Sequence, residues 1–194
     1  MTFGELKAQA LQLIFSYSTA GTVIPATYNN QADYIAMIPG LVNAAQMEIA
    51  TTARRIPASK KLSDMTFTQE GNDDVYTLPA DCWQLMQGGF YPGSFHEYVN
   101  MLDGRFAVPH GTDRSLSIEY WRYPVLVTGD TADSTALDNR PEVHEAIKFY
   151  VASGLVLYDD PYRSSVFKQE YEQRLARLRE PLWLERGAII NLYE

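Results

Sequence analysis

The sequence predicts an α+β fold that is mainly helical. We expect a helical bundle built from the N- and C-terminal helices, with an antiparallel β meander inserted between them and an extended C-terminal tail. Near both ends of the chain, apolar residues recur at the three-and-four spacing of an amphipathic helix. The middle of the chain instead has short aromatic and β-branched runs separated by turn residues. Because neither pair of helices is stable alone in water, each has to supply the other's partner face.

Two helices are predicted at the N-terminus. The first begins at Thr2-Phe3-Gly4-Glu5, which has the S/T-x-x-E form of a capping box, and it ends before a polar loop that contains Pro25. The second starts at about Gln31 and contains Pro39-Gly40, which predicts either a kink or a short lead-in turn. The predicted apolar stripes are Leu6, Ala10, Leu13, Ile14 and Tyr17 in the first helix and Ile35, Ile38, Val42, Ala45 and Ile49 in the second.

Residues 63–127 predict a small antiparallel β unit. Its clearest alternation is Leu116, Ile118 and Tyr120, which places three apolar side chains on one face of a strand. The stretch from Val125 to Asp138 is acidic and rich in turn residues, and we expect it to be a poorly structured link into the C-terminal helices.

Residues 140–180 predict a second helix pair. The break falls at Asp159-Asp160-Pro161, which we interpret as the stop of one helix and the cap of the next. The apolar stripes are Val143, Ile147, Tyr150, Val151, Gly154, Leu157 and Tyr158 before the break, and Phe167, Tyr171, Leu175 and Leu178 after it.

The C-terminal tail, Pro181 to Glu194, is apolar without a clear helical or strand period. Either it folds back on its own domain, or it docks on another chain. Its candidate docking residues are Leu182, Trp183, Leu184, Ile189, Ile190, Leu192 and Tyr193. The predicted division of the chain is therefore N-terminal helices (1–62), β subdomain (63–127), linker and C-terminal helices (128–180), and tail (181–194).

The net charge, the cysteine count and the distribution of apolar residues indicate what kind of protein this is. The net charge of −8 argues against a general nucleic-acid binder held by phosphate neutralisation, and the acidity is concentrated in residues 63–160, with 16 acidic and 5 basic side chains. Cys82 is the only cysteine, which excludes an intrachain disulfide, and we expect a buried, inert thiol. No leader or membrane-spanning stretch is apparent, so we expect a soluble protein made in a cytoplasm.

Sequence motifs of catalysis or cofactor binding are missing. The three histidines, His96, His110 and His144, lie in different predicted elements without the spacing of metal ligands, and there is no nucleophile elbow, P-loop or dinucleotide-binding glycine motif. We therefore expect a non-enzymatic protein with no cofactor and no metal.

Basic residues on the last helix give an alternative. Lys168, Arg174 and Arg177 could form a contact face for phosphates or an acidic protein, as in a small helical nucleic-acid-binding or regulatory protein. Interleaved glutamates also allow an ordinary solvated helix face.

Four stretches resemble the adaptor (head-to-tail connector, or head-completion) proteins of tailed bacteriophage necks. They are the helix start at Thr2 to Leu6, the V-N-A-A-Q-x-E-I run from Val42 to Ile49, the L-P-A-D turn from Leu78 to Asp81, and the R-P-E-x-H-E-A-I helix from Arg140 to Ser153. The resemblance, which includes the order of the predicted helices and strands between these stretches, spans most of the chain.

The resemblance implies a structural, non-enzymatic protein of the virion neck, assembled in the host cytoplasm. Members of that family form rings, commonly of twelve copies, between the portal protein and a tail or head-closure protein. Genomic DNA passes through the lumen of the ring without sequence-specific binding, and a C-terminal extension often reaches into the portal. The β region of this chain is larger than that of the small helical members.

Overall fold

The chain folds into two compact units. The computed structural model describes residues 1–14, 29–91, 99–101, 103–138 and 140–179. The helical unit comprises Met1–Arg54 and Pro124–Glu194, and the β unit comprises Arg55–Tyr123.

The described helices all belong to the helical unit, apart from one short 3-10 turn at Leu62–Asp64 in the β unit. They are α1 (Phe3–Ile14), α2 (Asn29–Thr52), α3 (Pro141–Leu155) and α4 (Pro161–Leu178). Helix α3 packs against each of the other three, and its buried residues include Val143, Ile147 and Val151. At Gly154 the helices approach so closely that an added Cβ would lie 2.6 Å from a methyl group of Leu41 on α2.

The start of α1 confirms the predicted capping box. The amide of Thr2 donates to Glu5 Oε2 at 2.8 Å, and the amide of Glu5 donates to Thr2 Oγ1 at 3.2 Å. The predicted stripe is also largely correct, because Leu6, Ala10 and Ile14 are buried.

The first turn of α1 is also covered by the stretch from Val125 to Asp138, which we had expected to be poorly structured. The amide of Phe3 donates to the Thr135 carbonyl at 2.9 Å, and the amide of Gly4 donates to the Asp133 carbonyl at 2.9 Å. These amides are among those that a helix start leaves without an intrahelical partner. An added Cβ at Gly4 would lie 2.7 Å from Asp133 Cβ, so the glycine allows this close contact. The linker is therefore fixed by backbone pairing that no sequence pattern shows.

Helix α2 contains Pro39 without an interruption of the assigned helix. It ends at Thr52, so the two arginines that follow lie beyond its last turn. Arg54 Nη2 lies 3.8 Å from Glu142 Oε1 at the start of α3.

The β unit contains two antiparallel sheets. Its strands are β1 (Ile56–Lys61), β2 (Phe67–Glu70), β3 (Asp73–Thr77), β4 (Cys82–Tyr91), β5 (Val99–Met101), β6 (Arg105–Pro109) and β7 (Ser117–Arg122). One sheet has the order β1-β7-β4 and the other β2-β3-β6-β5. Strand β1 lies before residue 63, where the sequence pattern had placed the start of the strand region.

A second hydrophobic core fills the β unit. Ile118 and Tyr120 of β7 are buried, as their alternation predicts, and Tyr76 stacks on Phe106 with ring centroids 5.3 Å apart. Leu62 of the 3-10 turn is also buried in this core.

The predicted fold class is wrong. A meander joins each strand to its sequence neighbour, whereas here β1 and β4 both pair with β7, and β3 pairs with β6. The four helices are likewise not a simple bundle of N- and C-terminal helices, since α3 is the common packing partner of the others. The error arose because alternation identifies a strand and its buried face but does not identify the strand beside it. The predicted extended tail lies outside the described residues.

None of the helices in the described ranges is long and apolar enough to cross a membrane.

Candidate assembly surfaces

The candidate residues of the predicted docking tail all lie outside the described residues. They are Leu182, Trp183, Leu184, Ile189, Ile190, Leu192 and Tyr193. The helix that precedes the tail, α4, ends at Leu178.

The three basic candidates on α4 do not share one face. Lys168 and Arg177 are nine residues apart, which places them about half a turn apart around the helix at roughly 100° per residue. Both are exposed. Arg174 is half-buried, forms an ion pair with Glu170, and lies 4.0 Å from the ring centroid of Phe149. The structure therefore gives Arg174 a packing role and leaves Lys168 and Arg177 as separate surface charges.

The turn between α3 and α4 is held by several side chains. Asp160 caps α4 by accepting a hydrogen bond from the Arg163 amide at 3.0 Å, and the buried Ser164 donates to the Ser153 carbonyl at 3.0 Å. Arg163 Nη2 donates to the carbonyls of Leu13 and Ile14, at 3.0 and 2.7 Å. A cation at these terminal carbonyls suits the dipole of α1.

A hydrogen bond from α2 also reaches this turn. Tyr34 donates to Asp159, and this bond, together with burial and the negative charge, raises the pKa of Tyr34 to about 12. The phenol therefore stays protonated and keeps donating at neutral pH. The α3–α4 turn is thus tied to both N-terminal helices.

Large apolar side chains are exposed at this fixed turn. Tyr158 is 86% exposed and Tyr162 is 78% exposed, and Leu157 and Val166 beside them are also exposed. We call these four residues the corner patch. The sequence pattern had placed Leu157 and Tyr158 on the buried stripe of α3, but α3 ends at Leu155 and both side chains face solvent.

A second exposed apolar pair lies in the linker before α3. Val125 is 64% exposed and Leu126 is 56% exposed, and we call this pair the linker patch. Its backbone is fixed on both sides: the Val125 amide donates to Asp138 Oδ2 at 3.2 Å, and the Asn43 side chain makes two hydrogen bonds with the backbone of Val127, at 2.8 and 2.9 Å.

In the β unit, Arg55 joins two tryptophans. Its guanidinium carbon lies 5.0 Å from the ring centroid of Trp83 and 5.7 Å from that of Trp121. These cation–π contacts connect the start of β1 to β4 and β7. The half-buried Cys82 is inert at neutral pH, because burial and the nearby Asp81 raise the pKa of its thiol to about 11.

The two histidines that the structure describes belong to different units. His110 Nδ1 is 2.8 Å from Asp74 Oδ1 in the β unit, whereas His144 is buried in the first turns of α3. His96 lies outside the described residues. Over the described ranges, no group of three His, Cys, Asp or Glu side chains is placed to hold a metal ion.

His144 is 2% exposed, and neither of its ring nitrogens has a hydrogen-bond partner within the described part of the chain. Burial lowers the pKa of His144, and the positive chain terminus lowers it further, against the opposing charges of Glu142 and Glu145. The imidazole is therefore neutral at physiological pH.

The corner and linker patches expose large apolar side chains on a fixed backbone, which is compatible with contacts to other proteins. Comparison with known sequences identifies the class more closely. The sequence matches the SU10 adaptor protein family over residues 1–188, and the chain belongs to this family of phage head–tail adaptors. No curated protein matches the sequence. The chain is accordingly a structural adaptor of the phage neck and a component of the virion.

Proposed function

We propose that this chain forms a ring, of twelve copies, that joins the portal protein to the tail or to a head-closure protein and extends the channel for the genomic DNA. The observation that carries the proposal is the family match over residues 1–188. The copies assemble in the host cytoplasm and become part of the virion neck.

The charge of the chain is compatible with a DNA channel that does not bind DNA. With a net charge of −8, the protein repels phosphates instead of neutralising them. Arg174 is already paired with Glu170, so a continuous basic strip along α4 is missing within the described residues. Both features favour passage of DNA without sequence-specific binding.

The proposed contact with the portal is the C-terminal tail, residues 181–194. Seven of its 14 residues are large and apolar, and a tryptophan with several branched aliphatic residues is typical of the anchors that carry most of the binding energy in protein interfaces. An extended segment of this kind can also add main-chain hydrogen bonds to a partner sheet or groove. Exposed Lys168 and Arg177 on α4 are proposed as secondary contacts to acidic groups of a partner.

The tail proposal is tested by co-sedimentation with purified portal rings. Deletion of residues 181–194 is expected to abolish binding, and Trp183→Ser is expected to weaken it about thirty-fold, as for an interface anchor worth about 2 kcal/mol. Asn191→Ser, a polar change within the same tail, is the matched control and should bind normally. Undiminished binding by the truncated protein would show that the portal contact lies elsewhere.

The ring itself is tested separately by electron microscopy and native mass measurement of the complex with portal rings. Twelve copies per portal ring are expected. A single adaptor copy per portal subunit without contacts between adaptors would argue against a continuous ring.

A further inference from the structure

The helical unit exposes two groups of apolar residues that differ in character. The most exposed residues of the corner patch are two tyrosines, Tyr158 and Tyr162. The linker patch consists of two aliphatic residues, Val125 and Leu126. Single exposed apolar residues are common on protein surfaces, whereas contiguous apolar patches larger than a few hundred Å² are typical of interaction sites.

Neither patch can be buried by a small local change. The backbone at the corner patch is held by the Asp160 cap and by the hydrogen bonds of Arg163 to the end of α1. The backbone beside the linker patch is held by the two hydrogen bonds between the Asn43 side chain and Val127. Turning these side chains inward would break bonds that hold the surrounding backbone, so covering them requires a partner surface that comes to them.

The size of the patches decides what kind of contact they can make. A tyrosine has about 150–250 Å² to bury, so two tyrosines exposed by 86% and 78% leave roughly 250–400 Å² for a partner. A stable interface buries about 800 Å² on each side. The corner patch alone is therefore too small to hold a stable dimer in solution, but it is large enough to be the centre of a contact between copies already brought together.

We propose that the corner patch of one copy binds the linker patch of the next copy in the ring. A ring of identical subunits requires a head-to-tail contact between two different surfaces of each copy, and these two patches provide such a pair. Pairing of the corner patch with itself would instead give a two-fold dimer and would stop further growth. The proposal rests on the ring proposed above and adds to it the two surfaces that meet.

The small area of the corner patch also determines when the contact between copies can form. Copies held side by side on a portal ring have an effective concentration in about the millimolar range, so a weak contact closes there and stays open between free copies.

The test is cross-linking between two single-cysteine proteins, Tyr158→Cys and Leu126→Cys, each in a Cys82→Ser background and of different mass through a tag on one of them. They are mixed with a short bismaleimide, once on portal rings and once as concentrated protein without portal. The matched control replaces Tyr158→Cys by Gln173→Cys, an exposed position about 16 Å further along α4 than Tyr162. Unchanged melting temperatures will show that the exposed substitutions leave the fold intact.

Cross-linked dimers containing one copy of each variant are expected at a level at least about ten-fold above the control pair. The proposal is overturned if the mixed dimer does not exceed the control in either condition, or if Tyr158→Cys cross-links mainly to itself. Failure of the protein to sediment with portal rings would refute the proposed function alone, because the portal-free reaction, run at about the millimolar concentration at which the contact is expected to close, still decides whether the two patches meet.

Discussion

The tie between Arg163 and the end of α1 gives the sharpest stability prediction. The guanidinium donates from one nitrogen, Nη2, to the carbonyls of Leu13 and Ile14, and its carbon lies 5.7 Å from the ring centroid of Phe167. Arg163→Met keeps an unbranched apolar side chain at this half-buried position while removing every donor. Two carbonyls at the end of α1 then lose their charged partner.

The magnitude follows from these contacts. Because both hydrogen bonds come from the same nitrogen, they count as about one charge-assisted bond, worth roughly 1.5–3 kcal/mol. The cation–π contact adds about 0.5–1 kcal/mol at a partly exposed site. We expect Arg163→Met to lower the free energy of unfolding by about 2–4 kcal/mol. For a chain of this size each kcal/mol shifts the melting temperature by about 2–4 °C, so a decrease of roughly 4–16 °C is expected.

Urea unfolding followed by far-ultraviolet circular dichroism measures this change. Arg163→Lys retains one donor group and should fall between the wild type and the methionine variant. Arg177→Met removes an exposed arginine from the same helix and should stay within about 0.5 kcal/mol of the wild type. Equal stability of Arg163→Met and Arg177→Met would refute the reasoning.

Three further predictions concern the helical unit. Tyr171→Phe removes the 2.8 Å bond from a buried phenol to Glu48, and we expect a loss of about 2 kcal/mol in urea unfolding. His144, whose folded pKa is lowered, binds its proton more readily in the unfolded chain, so stability should fall as the pH drops from 7.5 to 5.5, by at most about 1.4 kcal/mol per pH unit, and His144→Leu should flatten this fall. Gly4→Ala forces a Cβ to within 2.7 Å of Asp133, and the expected cost of about 1–3 kcal/mol exceeds the helix-propensity gain of about 1 kcal/mol.

Each of these has a control or a contrary outcome. Tyr158→Phe, at an exposed position, should leave stability unchanged where Tyr171→Phe does not. Gly154→Ala meets only the side chain of Leu41, which can move, and should be less destabilising than Gly4→Ala, where backbone also blocks the Cβ. If the free energy of unfolding of His144→Leu falls equally steeply as the pH drops, other titratable groups are responsible for the pH dependence.

Local patterns predicted the helical elements well. The capping box at Thr2 and Glu5 is present, and the buried stripe of α4 contains Tyr171, Leu175 and Leu178 as the spacing indicated. Asp160 caps α4 next to Pro161. These features depend on hydrogen bonds and side-chain spacing within one or two turns, so the information lies within a few neighbouring residues. The family was likewise recognisable from short stretches of sequence.

The candidate surfaces were less predictable. The three-and-four spacing predicted that Tyr158 belongs to the core, although α3 ends before this residue and its side chain is exposed. The same spacing argument placed Arg174 on one face with the other basic residues, although Arg174 forms an ion pair with Glu170 and lies over the ring of Phe149. Where a helix ends and which neighbour a long side chain meets depend on packing, which periodicity does not encode.

The sequence by itself determined that the chain has amphipathic helices near both ends, short strands between them, and an acidic surface, because these follow from residue types and their periods. Only the tertiary structure decided that β7 lies between β1 and β4, and that the linker at Asp133 and Thr135 covers the start of α1. Both arrangements join residues that are dozens of positions apart through backbone hydrogen bonds. Backbone donors and acceptors are alike at every residue other than proline, so their partners are selected by the packing of the whole unit.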